Sequence, residues 1–157
     1  MDENQKLYQT IEIQESMLQF QEFTAETALT IGLALLDRAK KEEKSIAITI
    51  IRSGMNLFHY AMDGTSPDND GWIAGKNYLV NRFHRSSLYM AKKIRSGSYP
   101  KDDNIGPYVA GGAFPIIIKN VGVIGTITIS GLDEKDDHGW VVEIVRNMLG
   151  IPECPML

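Results

Sequence analysis

Most of the side chains that could bind a ligand or transfer a proton lie between residues 64 and 87, in the stretch GTSPDNDGWIAGKNYLVNRFHRSS. Asp68 and Asn69 stand near its start, and Trp72 and Lys76 follow at a spacing of four residues. Carboxylate, amide, indole and ammonium groups in this pattern fit a catalytic site, a pocket for an anion, or a capped helix that contacts a partner.

Lys76 is the residue of this stretch whose surroundings are most informative. At about 100° per residue, a helix places it on the same apolar face as Trp72 and Leu79. A buried ammonium without a partner is strongly destabilising, so it must reach solvent, a carboxylate or a ligand. The glycine-rich segment before residue 113 should lie near the same end of the helix, which favours an anionic ligand. The carboxylates that could replace such a ligand are Asp68, Asp70 and Asp137.

The acids at the start of the stretch have a simpler explanation than metal binding. Ser66 or Asp68 can cap a helix, Pro67 suits its first turn, and acidic side chains stabilise the positive end of the helix dipole. No further ligand follows at a spacing that metal binding requires. We therefore predict no metal site.

His84 and the adjacent Asp137 and His138 are the remaining candidates for proton transfer or ligand binding. His84 lies at the edge of the apolar stripe, where it is either a hydrogen-bonded core residue or a ligand. Asp137 and His138 are neighbours on one predicted helix, so their side chains point about 100° apart and cannot form a dyad with each other. His138 falls in register with Val141 and Val145, which indicates packing. Because no nucleophile is paired with a base, the catalytic residues stay unknown.

A second pattern follows the opposite side of the same predicted helix. Tyr78, Arg82, Arg85 and Tyr89 recur at i, i+4, i+7 and i+11, away from the apolar stripe. Tyrosine and arginine are enriched in protein interfaces, whereas a solvated face usually carries glutamate and lysine. The pattern therefore predicts a subunit contact and a homo-oligomer larger than a dimer, with a solvated face as the alternative.

The elements that position these residues alternate between helices and strand pairs. Apolar periodicity and capping residues predict helices, and runs rich in β-branched residues with turn residues between them predict two hairpins. A short strand near residues 18–23 and a long irregular loop over residues 96–112 are also expected. The predicted helices cover residues 3–16, 24–41, 67–96 and 134–149, and the strands cover 45–52, 57–62, 114–119 and 123–130.

Two hairpins between helices predict one mainly antiparallel sheet with helices on both faces. This is an α/β (α+β) sandwich of the profilin-like kind, and residues 1–157 are expected to form one domain. The net charge of −4 and the absence of a basic run argue against nucleic acid. No signal peptide or membrane span is visible, so we expect a cytoplasmic protein. The single Cys154 excludes an intrachain disulfide and is interpreted as a tail thiol.

Two segments carry a resemblance to a known protein family. They are GTSPDNDGWIAGKNYLVNRFHRSS and GGAFPIIIKNVGVIGTITISGLDEKDDHGWVVEIV. From about residue 18 to residue 149, the chain resembles an uncharacterised family of the GlcG/HbpS-like superfamily. That superfamily includes haem-binding proteins, proteins described as haem-degrading and the C-terminal domains of PduO-type proteins. The resemblance implies a profilin-like fold and a homo-oligomer.

The resemblance also implies a domain that binds a small ligand, either haem or another anion. Haem would need an axial ligand, and the candidates are His59, His84, His138 or a tyrosine. Two alternatives stay open. One is an oligomeric adaptor without enzymatic activity, which the Tyr/Arg pattern favours. The other is a haem-degrading enzyme, for which the resemblance is the only support.

The pocket is expected where the glycine-rich loop meets the start of the long helix and the turn at Asp137 and His138. Gly111 and Gly112 would let the backbone of that loop approach a ligand closely, although a glycine pair before a strand is often only a turn. The predicted ligand-binding residues are Asp68, Asn69, Trp72, Lys76, His84, Gly111, Gly112, Asp137 and His138.

Overall fold

The computed structural model describes all 157 residues, as five helices and four strands. None of the helices is both long enough and apolar enough to cross a membrane. The helices are α1 (Glu3–Met17), α2 (Ala25–Lys41), α3 (Pro67–Phe83), α4 (Ser87–Arg95) and α5 (Glu134–Leu149). The strands are β1 (Ala47–Arg52), β2 (Met55–Ala61), β3 (Ala113–Ile118) and β4 (Gly122–Ser130).

The four strands form one antiparallel sheet in the order β2-β1-β4-β3. One face carries the fully buried side chains of Ile48, Ile50, Phe114, Ile127 and Ile129, which pack against α2 and α5. Burial of these side chains is the main force that holds the helices to the sheet. The predicted profilin-like sandwich with a mainly antiparallel sheet is therefore confirmed.

The opposite face of the sheet is lined by hydroxyl groups. Thr49, Thr126 and Thr128 are buried there beneath α3, and Thr128 donates a hydrogen bond to the Asn77 side chain of that helix. α3 therefore buries polar groups against the sheet, which is consistent with the position of Lys76 on its inner face. α4 and α1 pack beside it and complete this layer.

The prediction of one long helix over residues 67–96 is wrong, because the chain turns at His84. His84 has a left-handed backbone, with φ at 54°, and ends α3. α4 begins three residues later, and the carboxylate of Glu15 on α1 accepts hydrogen bonds from Ser86 at its start. The apolar stripe continues across the break, so the hydrophobic pattern alone did not reveal it.

Two predictions at the N-terminal end have different outcomes. The helix over residues 3–16 is confirmed, and Thr24 caps α2 through a reciprocal hydrogen-bonded box with Thr27. The strand predicted for residues 18–23 is reduced to a single parallel bridge between Phe20 and Ile118. This bridge covers the outer edge of β3, whereas the outer edge of β2 is uncovered.

Cys154 is not a tail thiol in solvent, as its position in the sequence suggested. Its side chain is buried within the core that α2 and α5 form on the sheet. Arg146 donates a hydrogen bond to its carbonyl oxygen and so fastens the C-terminal segment to α5.

The loop over residues 96–112 lies against α3 without a gap. A β-carbon on Gly75 would stand 2.2 Å from the carbonyl oxygen of Tyr108, and one on Gly71 would stand 2.8 Å from its ring. A side chain at either position would therefore clash with Tyr108, and the loop can lie this close to α3 only because both residues are glycines. The glycine pair therefore sets how closely the loop approaches the helix.

Candidate functional site

The pocket lies between the start of α3, the end of the 96–112 loop and the turn that joins β4 to α5. Its volume is about 270 Å³, slightly below the range that is typical of ligand sites. Five of the predicted ligand-binding residues line it, namely Asp68, Asn69, Trp72, Lys76 and Asp137. The other lining residues are Ala110, Ser130, Gly131, Leu132 and Glu134.

The floor of the pocket is an ion pair between Lys76 and Asp137. The Nζ atom of Lys76 lies 3.0 Å from Oδ2 of Asp137, and the two side chains are 3% and 2% exposed. The same Nζ donates to the carbonyl oxygen of Ile129 at 2.9 Å, and Oδ1 of Asp137 accepts from the N–H of Leu132 at 3.1 Å. Of the two partners that the sequence left open for Lys76, the structure therefore shows the protein carboxylate, Asp137, although the ligand was favoured.

Burial makes Asp137 easier to protonate than an ordinary aspartate. It raises the pKa of Asp137 to about 6, against the opposing attraction of Lys76 and the hydrogen bonds from the N–H groups of Gly131 and Leu132. Asp137 therefore takes up a proton at a higher pH than an ordinary aspartate does.

Gly111 and Gly112 bring the loop against the ion pair of Lys76 and Asp137. Gly112 has a φ of 136°, and a β-carbon there would lie 2.7 Å from Nζ of Lys76. The N–H of Gly111 donates to Oε1 of Glu134 at 2.9 Å. Gly111 and Gly112 therefore form a turn, and they also bring the loop backbone against the floor of the pocket.

The first turn of α3 forms the mouth of the pocket. Ser66 is the N-cap, and its N–H donates to the side-chain oxygen of Asn69, while the amide nitrogen of Asn69 donates to Oγ of Ser130 at 3.0 Å. The indole N–H of Trp72 donates to Asp68 at 3.2 Å. The helix-capping interpretation of this segment is thus correct, and Asp68, Asn69 and Trp72 also line the pocket.

Sequence reasoning missed Glu134 and Ser130. Glu134 pairs with Arg95 and lies 3.7 Å from Nζ of Lys92, so it joins α4, α5 and the loop. Acidic residues are common in the first turn of a helix because they stabilise its positive end. The position of Glu134 in the first turn of α5 therefore gave no indication of a role at the pocket. The signal for Ser130 was the family motif in which it stands.

Two of the predicted ligand-binding residues lie away from the pocket. His84 is exposed at the break between α3 and α4. His138 is fully buried, and its Nε2 lies 2.7 Å from Oε1 of Gln14. Its ring packs edge-on against Phe114, so the packing interpretation is the correct one. His59, the remaining histidine, is on β2 and bonds to Thr49.

His138 is held in a neutral state. Burial lowers its pKa to about 3. Gln14 uses its amide N–H₂ on the carbonyl oxygen of Pro155, so its oxygen faces the ring and Nε2 must carry the proton. The Nδ1 atom then has no hydrogen-bond partner.

The four residues of the predicted Tyr/Arg surface do not form one continuous row, because the break at His84 separates them. Arg82 pairs with Asp102, Arg85 pairs with Glu15 at 2.6 Å, and the hydroxyl of Tyr89 donates to Glu12 at 3.0 Å. Tyr78 is 36% exposed. Three of the four side chains therefore hold α4, α1 and the loop in place within the chain.

The pocket offers hydrogen-bond donors at its floor and carboxylates at its rim. Lys76 has three N–H groups and uses two on protein acceptors, and the hydroxyl hydrogen of Ser130 is not used by any protein acceptor. At the rim, Glu134 is neutralised by Arg95, whereas Asp68 accepts only from neutral donors. No three acidic, histidine or cysteine side chains are grouped as a metal ion requires.

Comparisons with known proteins agree with the fold. The chain is 38% identical over 145 residues to a UPF0303 protein of Streptomyces coelicolor, covering 89% of this chain and 92% of the relative. The crystal structure of Ybr137w superimposes with a TM-score of 0.80 at 28% identity, covering 91% of this chain and 87% of that one.

A more distant structure shares the fold alone. The structure described as a PduOC:heme complex has a TM-score of 0.64 at 14% identity and covers 75% of this chain and 88% of that one. A sequence model of the family described as "Haem degrading protein HbpS-like" matches residues 23–146, which is most of the chain. The chain therefore belongs to the HbpS-like family.

Proposed function

We propose that this protein is a ligand-binding domain whose site is the pocket above Lys76 and Asp137. The observation that carries the proposal is a buried ion pair at the floor of an open pocket. Replacing such a pair by apolar residues is often neutral or stabilising, so stability alone is a weak reason to keep it. Buried charges with shifted pKa values in a cleft are typical of functional sites.

The size and lining of the pocket limit the ligand. A volume of about 270 Å³ suits a small polar metabolite rather than a drug-sized or larger molecule. The Trp72 ring offers an apolar wall, and the unused hydrogens of Lys76 and Ser130 offer donors. The ligand should therefore be small and carry hydrogen-bond acceptors at the end that enters the pocket.

Trp72 provides a direct test, because it is one of only two tryptophans and lines the pocket. Small carboxylates, amines and neutral amides are titrated while tryptophan emission is recorded. Binding in the pocket should change the emission of the wild type and leave that of Trp72→Phe unchanged, since Trp140 is buried elsewhere. If no compound of any class changes the emission at millimolar concentration, the proposal is overturned.

Haem binding is the second candidate, and its support is the family match together with the haem complex of a structural neighbour. The pocket does not fit this group, because no histidine lines it and its volume is small. Of the three histidines, His138 is fully buried, whereas His84 and His59 are exposed. Haem that is held by one of the exposed histidines would therefore bind at the surface of this chain.

A titration with hemin tests this candidate. A Soret band that weakens most in His84→Ala, with His59→Ala as the matched control, would support a surface haem site. A flat titration up to tens of micromolar would reject haem and leave the pocket proposal intact.

We propose further that the protein self-associates and works in the cytoplasm. Support for self-association comes from the uncovered edge of β2, where Met55 and Tyr60 are 62% and 45% exposed. Light scattering should give a multiple of the 17.5 kDa chain mass. If the edge of β2 forms the subunit contact, Tyr60→Lys should reduce the mass of the assembly. If the exposed end of the predicted Tyr/Arg surface forms the contact, Tyr78→Asp should reduce it. A monomer in the wild type would overturn this part of the proposal.

A further inference from the structure

We propose that the ligand of the pocket carries a carboxylate, which binds Lys76 and Ser130 while Asp137 takes up one proton from the solvent. This inference rests on the proposed function, and it names the class of ligand and the proton that accompanies it.

The free hydrogen-bonding capacity of the pocket floor defines the ligand group. Both oxygens of Asp137 already accept hydrogen bonds, Oδ2 from Lys76 at 3.0 Å and Oδ1 from the N–H of Leu132 at 3.1 Å. What remains is a third N–H on Lys76, the hydroxyl hydrogen of Ser130 and the second amide hydrogen of Asn69. Because the unused groups at the pocket floor are all hydrogen-bond donors, the ligand must supply an acceptor. A carboxylate is the acceptor that forms the strongest hydrogen bonds with such donors.

Electrostatics then require a proton. Lys76 is the only cationic side chain that lines the pocket, and Asp137 neutralises it. A second carboxylate beside the same ammonium would be repelled by the first, because both would be buried at one positive charge. The repulsion disappears when Asp137 is protonated, and its neutral carboxyl can then donate a hydrogen bond to the ligand.

Asp137 is the group in the pocket that is placed to accept this proton. It faces Lys76 from α3, and its own helix adds Glu134, which Arg95 and Lys92 of α4 neutralise. Asp68 lies across the mouth of the pocket, and the sheet contributes only the carbonyl oxygen of Ile129. Its depth of burial already makes the protonated form accessible near neutral pH. The ligand would shift that equilibrium further.

The test measures binding of lactate and benzoate between pH 5 and pH 8, with Trp72 emission as the signal and the corresponding amides as uncharged controls. Uptake of one proton weakens carboxylate binding by up to about tenfold for each pH unit on the alkaline side. Asp137→Asn is permanently neutral, so its affinity should not depend on pH and should exceed that of the wild type at pH 8. Ser130→Ala should weaken binding at every pH without changing the slope.

The outcomes separate this inference from the proposed function. Amides or amines that bind as well as the carboxylates would overturn the carboxylate inference and leave a ligand-binding pocket. Carboxylate binding with the same pH dependence in the wild type and Asp137→Asn would overturn the role of Asp137. If none of these compounds changes Trp72 emission, both the inference and the proposed function fail.

Discussion

The carboxylate of Glu15 accepts two hydrogen bonds from Ser86, one from the backbone N–H at 2.7 Å and one from the hydroxyl at 2.8 Å. Ser86 is the N-cap of α4, but its own side chain makes no capping bond to that helix. Glu15 also pairs with Arg85, so one residue of α1 fixes the point at which the chain turns into α4. A carboxylate supplied by α1 thus takes the place of the N3 side chain of a capping box, which accepts from the N–H of the N-cap residue.

We expect Glu15→Gln to lower the free energy of unfolding by about 1–3 kcal/mol, because a buried charge-assisted network loses its anion. Urea unfolding measures the change. Glu12→Gln is the matched control on the same helix, since Glu12 is exposed and accepts only from the hydroxyl of Tyr89. Glu12→Gln should lower the free energy of unfolding by less than about 1 kcal/mol. Equal losses in the two variants would contradict the role given to Glu15.

Removing the cation of the buried pair should make stability depend on pH. In Lys76→Met the carboxyl of Asp137 remains buried without its partner, and its folded-state pKa rises above the value of about 6 that it has in the wild type. A folded pKa above the unfolded one means that stability is greatest below about pH 4 and is lost as the pH rises through the folded pKa.

The loss in Lys76→Met should therefore be about 3–5 kcal/mol at pH 8 and smaller at pH 5. Denaturant unfolding at the two pH values measures it. The double variant with Asp137→Asn is the control, because it leaves no buried charge in the pocket and should lack the pH dependence that the unpaired carboxyl adds in Lys76→Met. A loss in Lys76→Met that is equal at pH 5 and pH 8 would show that Lys76 has another role.

His138 should make the fold sensitive to acid. Its folded pKa of about 3 lies below the ordinary value, so the unfolded chain binds the proton first. The stability that this residue contributes is complete above about pH 6.5 and is lost as the pH falls toward 3. Nitrogen-detected NMR should show its ring neutral, with the proton on Nε2, at pH 5. A charged imidazolium signal from His138 at that pH would contradict the assignment.

Gly112→Ala should destabilise the protein by about 1–3 kcal/mol and disturb the pocket floor. The added methyl group would meet Nζ of Lys76 and the carbonyl oxygen of Ile129, each at 2.7 Å, and the φ of 136° is unsuitable for alanine. Gly139→Ala is the control, because no atom lies within 4 Å of a β-carbon there. On its helix the alanine should be neutral or stabilising by up to about 1 kcal/mol. Thermal melts compare the two.

His84→Gly should raise the free energy of unfolding by up to about 1 kcal/mol, since glycine adopts the left-handed conformation at a helix end without strain. His84→Ala should not, because alanine shares the unfavourable geometry of a β-carbon at positive φ. A loss of stability in His84→Gly would mean that the imidazole makes a contact that offsets its strain.

The elements that depend on local patterns were predictable from the sequence. The β-branched runs give both hairpins within two residues, and the helix from Glu134 to Leu149 is correct at both ends because Asp133 caps it and Gly150 ends it. The break at His84 was not predictable, since it depends on a carboxylate that is 71 residues away from Ser86 in the sequence. The local hydrophobic periodicity gives no information about a contact between residues so far apart in the sequence.

The same distinction explains the candidate site. Asp68, Trp72 and Lys76 share one face of a helix at four-residue spacing, so their proximity follows from helix geometry. Lys76 and Asp137 are 61 residues apart, and only the packing of α5 on the sheet brings them together. The sequence indicated that Lys76 needs a partner, but it could not show which of three aspartates was within reach.

The glycines at positions 71 and 75 hold the loop that ends at the pocket close against α3. Backbone rests directly on backbone where Gly75 meets Tyr108, and no side chain at that seam can rotate to widen the opening. One added methyl group would act as a wedge, lifting the loop together with Gly111 and exposing the charges that it covers. Alanine and serine at position 71, where the neighbour is a movable ring, therefore offer a graded way to enlarge the entrance and to select longer ligands.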